Sequence, residues 1–269
     1  MSSKEPFLSI LYISTYCVRR IELVQNDLFS FIRPAVLLVS IISLILIQPD
    51  LGASAVIFAS ALGVLFVAGV PIRQFLVVFL IGLFGITLLI TYVPWRWERI
   101  ISFVDPWSDP FDKGYQLTLS LMSIGRGDWF GVGLGESLMK MGYLPDAHTD
   151  FIFSILIEEL GLLTGILIMG MLFGICFRVF LIGRQSLQRR NHFGFFFCFG
   201  AAILIGLHVF INVGVATGLL PTKGLTLPLF SAGGTNILIM CSMIGLILRI
   251  DYENKISMPI ASVKRRVTF

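Results

Sequence analysis

From Leu160 to Phe177 the chain carries no charged residue, and from Arg190 to Arg249 it carries only one, Lys223. About 18 apolar residues in a row are enough to cross the roughly 30 Å hydrocarbon core of a bilayer. Runs of this length exclude a soluble core packed on itself. Composition agrees: of 269 residues 56% are hydrophobic and 13% charged, against about 25% charged in a soluble domain. The net charge of +4, with no basic stripe, excludes a nucleic-acid binder.

Six spanning segments follow from the apolar runs: 34–47, 51–70, 74–93, one that begins near Phe151 and is uncharged from Leu160, 193–220 and 228–248. Each run is too long and too continuous for a barrel strand, so helices are expected. The fold class is all-α, a polytopic transmembrane helical bundle. Phe7 to Val18 is apolar but too short to span and is followed at once by Arg19, Arg20 and Glu22. An interfacial helix is the expectation there. Cys17, Cys176, Cys198 and Cys241 lie near or inside apolar runs, outside any metal-ligand spacing, and read as small buried hydrophobes.

Basic residues set the orientation. Arg19, Arg20, Arg33, Arg73, Arg178, Arg184, Arg189, Arg190 and the basic tail after Arg249 all fall on one side after six crossings, which is therefore cytoplasmic. The chain divides into a cytoplasmic or interfacial segment (1–33), three transmembrane helices (34–93), a large extracytoplasmic loop (94–150), three more transmembrane helices (151–249) and a cytoplasmic tail (250–269).

The loop at 94–150 holds all four tryptophans, five basic residues and eight acidic ones. Connections of this length are usually functional, and aromatics beside a membrane anchor at the headgroups. The loop is expected to fold back on the outer face and to carry the function. Its glycines, Gly131-Val132-Gly133-Leu134-Gly135, make a weak nucleotide motif: no strand precedes them and no Gly-Lys-Ser follows.

Asp150 ends this loop. It reads either as a helix N-cap or as a general base at the outer interface. Glu158 and Glu159 follow in the same helix, roughly 12–13 Å further along one axis at about 1.5 Å per residue. They mark the outer edge of the hydrocarbon. Ionisable groups at that depth are functional candidates, with a structural ion pair to Arg126 or Lys140 as the alternative. Lys223, in a short Pro/Gly turn, reads either as a snorkelling lysine or as a point charge for phosphate oxygens. His148 stands at no metal-ligand spacing from His192 or His208.

Several separated motifs resemble one family, in its order: Gln48-Pro49-Asp50-Leu51-Gly52, Phe103-Val104-Asp105-Pro106-Trp107, Gly114-Tyr115-Gln116, Gly131 to Gly135, Ala147-His148-Thr149-Asp150-Phe151, Glu158-Glu159-Leu160-Gly161 and Leu220-Pro221-Thr222-Lys223-Gly224-Leu225-Thr226-Leu227-Pro228. The chain resembles the SEDS family (shape, elongation, division, sporulation) over nearly its whole length. Tyr143 to His148 and Pro221 to Thr226 are closer to its division member than to its elongation member. Departures are Asp146 in place of a usual glutamate and Ala232 in place of a usual tyrosine. Members have about ten membrane helices, so the six expected here point to an N-terminally truncated chain.

The resemblance implies a peptidoglycan glycosyltransferase that polymerises lipid II, an undecaprenyl-pyrophosphate-linked disaccharide peptide, during septal wall synthesis. It implies a bacterial cytoplasmic-membrane location at the division septum, with a class B penicillin-binding transpeptidase and other division proteins as partners. Asp150 matches the family's catalytic aspartate and Lys223 a lysine of its second outer-face motif. Arg96, Arg99 and Arg126 of the loop are expected to offset pyrophosphate charge, with His148, Glu158 and Glu159 as further substrate contacts. A divalent cation is an optional helper, although the sequence shows no dedicated cage. Two rival readings are a lipid II flippase and a non-catalytic scaffold of the division complex. A flippase should show internal repeats and midplane charges, whereas the charges here cluster at one interface.

Overall fold

The computed structural model describes residues 4–21, 28–47, 50–112, 114–222 and 224–256. Among them the chain forms nine α-helices and no strand: α1 (Lys4–Arg19), α2 (Leu28–Ile47), α3 (Leu51–Val67), α4 (Ile72–Tyr92), α5 (Pro94–Val104), α6 (Tyr115–Gly127), α7 (Ile152–Gln188), α8 (His192–Ala216) and α9 (Gly234–Ile256). The long runs α7, α8 and α9 are each apolar and long enough to cross a membrane, and α2, α3 and α4 contain shorter apolar stretches. The protein is thus a polytopic helical membrane protein. The tail beyond 256 lies outside the described residues.

The central helix is α8, which packs against α1, α3, α6, α7 and α9. It is mostly apolar round its circumference, as a helix with many packed neighbours must be, with His208 and Asn212 as buried polar exceptions. Phe196 and Phe197 are its largest buried anchors. At the opposite extreme, α4 packs on α3 and turns Leu80, Ile81 and Phe84 outward. Of the cysteines, Cys17 and Cys198 are buried as expected, whereas Cys241 lies exposed on α9.

The helix expected at the interface packs one face on the bundle and leaves Leu8, Tyr12 and Val18 exposed on the other. On α1, Ile10, Ile13 and Cys17 are at most 1% exposed and the helix packs between α3 and α8. Their spacing of three and four residues makes one stripe, and the bundle supplies its partner.

A second departure is in α7. Its first turns do not continue into the span. Gly161 has φ 85° and ψ 166°, a region open essentially to glycine alone. Past it the chain folds back: Ile157 and Phe153 come within 2.9 and 3.6 Å of where a Cβ on Gly165 would stand. In a straight helix residues 153 and 165 would be about 18 Å apart. The single axis expected from Asp150 through Glu158 into the span is therefore corrected to a short helix folded against a long one.

The break would orphan backbone groups on both sides, and the 128–133 segment satisfies them. Val132 and Gly133 donate to the carbonyls of Glu158 and Glu159, while Leu162 and Leu163 donate to those of Asp128 and Trp129. Backbones approach so closely here that a Cβ on Gly131 would lie 2.2 Å from the Glu159 oxygen. The glycine motif is thus a packing device. The 94–150 connection is correspondingly ordered into α5, α6 and a turn at Met139–Met141.

Contacts gather Asp50, the 94–150 connection and the 217–233 connection at one end of the bundle, since Gly52 packs on Leu225 and Arg99 reaches Thr222. The Arg178–Asp251 and Asn254–Ser186 contacts lie at the other end.

Candidate active site

Asp150 precedes the first turn of α7, where the sequence leaves a choice between N-cap and base. Its side chain makes no capping bond: the N-cap position is Phe151, and no side chain caps it. The carboxylate faces a cleft of about 380 Å³ lined by Asp146, Thr149, Gly224, Thr226, Gly233 and Asn236 among others. Burial raises its pKa from 3.8 to about 6, and the nearby charges of Asp146 and Asp50 add to the rise. A carboxylate so shifted is a stronger base than an exposed one and still ionised near neutral pH.

The cleft wall opposite is the 222–228 loop. Gly224 comes so near that a Cβ on it would stand 2.8 Å from Asp150 Oδ2. Three consecutive carbonyls of this segment are held by hydrogen bonds, two from residues 231–232 and one from α8. Ala232 N–H donates to His148 O at 2.9 Å, Ser231 Oγ to Thr149 O at 2.6 Å, and Asn212 Nδ2 to Asp150 O at 2.8 Å. Ser231 also accepts from Leu227 N–H at 2.7 Å.

The other expected site residues divide into two groups. Arg99 joins the loop, with Nη1 3.5 Å from Thr222 O, and the exposed His148 stands two residues before Asp150. Lys223 lies outside the described residues, and so does the side chain of Arg96. The second group points elsewhere. Glu158 is fully buried and holds Arg126 at 2.8 Å. Its carboxylate also accepts from Ser123 Oγ, Ser137 Oγ and Leu138 N–H. These four donors make it the tie between α6, the 137–138 turn and α7, which is the structural alternative weighed from the sequence. Arg126 is thereby spent on Glu158. Glu159 pairs with Lys140 at 3.4 Å. Among the described residues no three His, Cys, Asp or Glu side chains group as a metal-ligand set.

Sequence reasoning did not single out Asn212 or Ser231. A neutral amide inside an apolar run was the available signal, because an uncharged polar side chain at that depth must find partners.

Residues 7–256 match the model of a family described as cell cycle protein, FTSW_RODA_SPOVE. The chain belongs to this FtsW/RodA/SpoVE family. It is 44% identical over 246 residues to a probable peptidoglycan glycosyltransferase FtsW of Aliivibrio salmonicida, covering 91% of this chain and 62% of that protein. To the protein so named in Wigglesworthia glossinidia brevipalpis it is 46% identical over 246 residues, covering 91% and 65%. The chain therefore spans less than two thirds of the length of these relatives. Its fold resembles that of a chain in a peptidoglycan synthase complex solved for its coordination of polymerization and crosslinking, with TM-score 0.71, 28% identity, and 93% and 70% of the two chains covered. It also resembles the rod shape determining protein RodA of Thermus thermophilus, with TM-score 0.58, 26% identity, and 91% and 65% covered. Of the motifs that carry the family resemblance, those around Asp150 and at 221–228 line the cleft, while Gly131 to Gly135 and Glu158 to Gly161 pack on each other.

Proposed function

We propose that this chain carries the active site of a peptidoglycan glycosyltransferase that polymerises lipid II at the outer face of the bacterial cytoplasmic membrane, during septal wall synthesis. The observation that carries the reading is the Asp150 carboxylate. It is half-buried, raised in pKa, free of a capping duty and open to a cleft at the end of a membrane bundle.

In the reaction, Asp150 accepts the proton of a sugar hydroxyl on one glycan. The oxygen so activated forms a bond to the anomeric carbon of a second lipid-linked sugar. The bond from that carbon to pyrophosphate breaks, and the pyrophosphate leaves on its lipid. Both lipids stay in the membrane, so the base belongs at the bilayer surface. Arg99, Lys223 and Arg96 offset the charge on the departing pyrophosphate; a divalent cation would share that work. Relatives named as peptidoglycan glycosyltransferases and the likeness to a synthase complex support the reading. A class B penicillin-binding transpeptidase is the proposed partner.

The test is the protein in vesicles, together with its transpeptidase partner, supplied with fluorescent lipid II on the outer leaflet. Polymer formation supports the enzyme. Movement of lipid II between leaflets without polymer would replace it with a transporter.

A further inference from the structure

Asn212 lies on α8, one turn before its end, and is 1% exposed. Its amide nitrogen stands 2.8 Å from Asp150 O and 2.7 Å from Leu225 O. Two carbonyl acceptors on one side identify that atom as the NH₂ group and use both its hydrogens. The amide oxygen is buried and has no hydrogen-bond partner among the described residues. A lone buried acceptor costs stability. An apolar side chain of the same size would not have that cost, so the benefit of asparagine lies in the two bonds it donates.

Those bonds join two segments that face each other across the cleft. One is the main chain of Asp150. The other is the 222–228 loop, which brings Gly224 against the Asp150 carboxylate. Packing is so close there that a small change in the separation of the two segments alters what the carboxylate touches. Ser231 adds a second link, from the loop to Thr149 O.

We propose that Asn212 is a positioning residue that sets the distance between the Asp150 carboxylate and the loop facing it, by bonding the main chain of both with one amide group. This inference rests on the reading of Asp150 as the working carboxylate. Asn212 touches no reacting atom; it acts through Asp150. Without it the loop and Asp150 separate, water reaches the carboxylate, and the base loses both its aim and its raised basicity. The charged groups that face the carboxylate, Asp146 on its own segment and Asp50 at the start of α3, stay in place.

The experiment reads Asp150 directly. A hydrophobic carbodiimide modifies protonated carboxyl groups, and peptide mass spectrometry follows labelling at Asp150 from pH 4 to 8 in the full chain in membranes. The parent should show a midpoint near 6. Asn212→Leu should lower it by about one pH unit as desolvation is relieved. Ser231→Ala, which removes the bond to Thr149 O and the one accepted from Leu227 N–H but leaves both Asn212 bonds, should lower it less. A parent-like midpoint in Asn212→Leu overturns the proposal. If Asn212→Leu does not accumulate in membranes, Ser231→Ala decides: a lowered midpoint supports the proposal and an unchanged one overturns it. In the polymerisation assay Asn212→Leu should lower kcat by about tenfold or more, the scale of a misplaced acid–base group, with KM nearly unchanged. That loss should vanish on an Asp150→Asn background. An equal loss on that background would make Asn212 merely structural and overturn the proposal. A lowered midpoint in a protein whose parent makes no polymer keeps the positioning and rejects the glycosyltransferase reading.

Discussion

A Cβ placed on Gly224 would lie 2.8 Å from Oδ2 of Asp150, closer than real side-chain carbons approach an oxygen. The smallest residue in the 222–228 loop thus stands where the carboxylate needs room. Gly224→Ala should push the carboxylate from its place without disturbing the helices. We expect polymerisation to fall by about 10- to 100-fold, the range over which displacing a catalytic group by about 1 Å acts. Membrane level and thermal stability should stay near those of the parent. Parent-like activity would show that the loop yields instead.

Glu158 and Arg126 form a tie that holds the folded connection, and Glu158 has no exposed surface. Glu158→Ala leaves Arg126, Ser137 and Leu138 N–H without the carboxylate they share, while Ser123 keeps Ser154 O. Breaking a buried pair costs about 3–5 kcal/mol. Arg126 is 36% exposed and water can satisfy part of its charge, so about 3 kcal/mol is expected here. Glu159→Ala, which breaks one long pair to the exposed Lys140 at 3.4 Å, should cost less, about 1 kcal/mol. Thermal denaturation in detergent measures both. Equal losses would contradict the assignment of the structural tie to Glu158.

The raised pKa of Asp150 has a consequence for stability. Burial favours the neutral acid in the folded state, with Asp146 and Asp50 adding to it. The stability this contributes is complete below the unfolded pKa of 3.8 and is lost as pH rises through about 6. Between pH 4 and 7 the parent should therefore lose thermal stability relative to Asp150→Asn, which has no proton to release. Activity should move the opposite way, rising through pH 6 as the base ionises. Parallel melting curves for the two proteins across this range would mean that the carboxylate is not desolvated.

Orientation is open to a labelling test. The arginines that flank the apolar runs, Arg73, Arg178, Arg184, Arg189, Arg190 and Arg249 among them, predict that the Asp150 end faces outside the cytoplasm. Ser108→Cys, in the connection between α5 and α6, should react with an impermeant maleimide added to intact cells, measured with Cys17, Cys176, Cys198 and Cys241 replaced. Reaction only after permeabilisation would reverse the sidedness and with it the proposed reaction surface.

The spans were legible because hydropathy alone dictates them: uncharged runs had to become membrane helices. Asp150 was legible because a carboxylate stood at the junction of a structured loop and such a run. The break at Gly161 was not legible. Glu158-Glu159-Leu160-Gly161 scans as ordinary helix, and only the backbone of residues 128–133 lying against it reveals the reversal. Glu158 and Glu159 are alike in sequence, yet one is enclosed by four donors and the other meets a surface lysine; that difference belongs to tertiary packing. Asn212 escaped notice because a neutral amide leaves no mark in a charge pattern. The partners of the buried stripe of α1 escaped too, since a stripe of apolar residues does not say which helices it packs on.

The central claim is that Asp150 is the general base, and replacing one atom of it is the most direct test. Asp150→Asn preserves size and removes the basic oxygen. No capping bond of the side chain is lost, because none is made, so the variant should fold and insert as the parent does. Polymer should be measured from labelled lipid II at matched membrane levels, in the complete protein with its partner. A loss of about 100-fold or more is predicted, the scale of a positioned acid–base group. Equal polymer yield from Asp150→Asn and the parent would contradict the account.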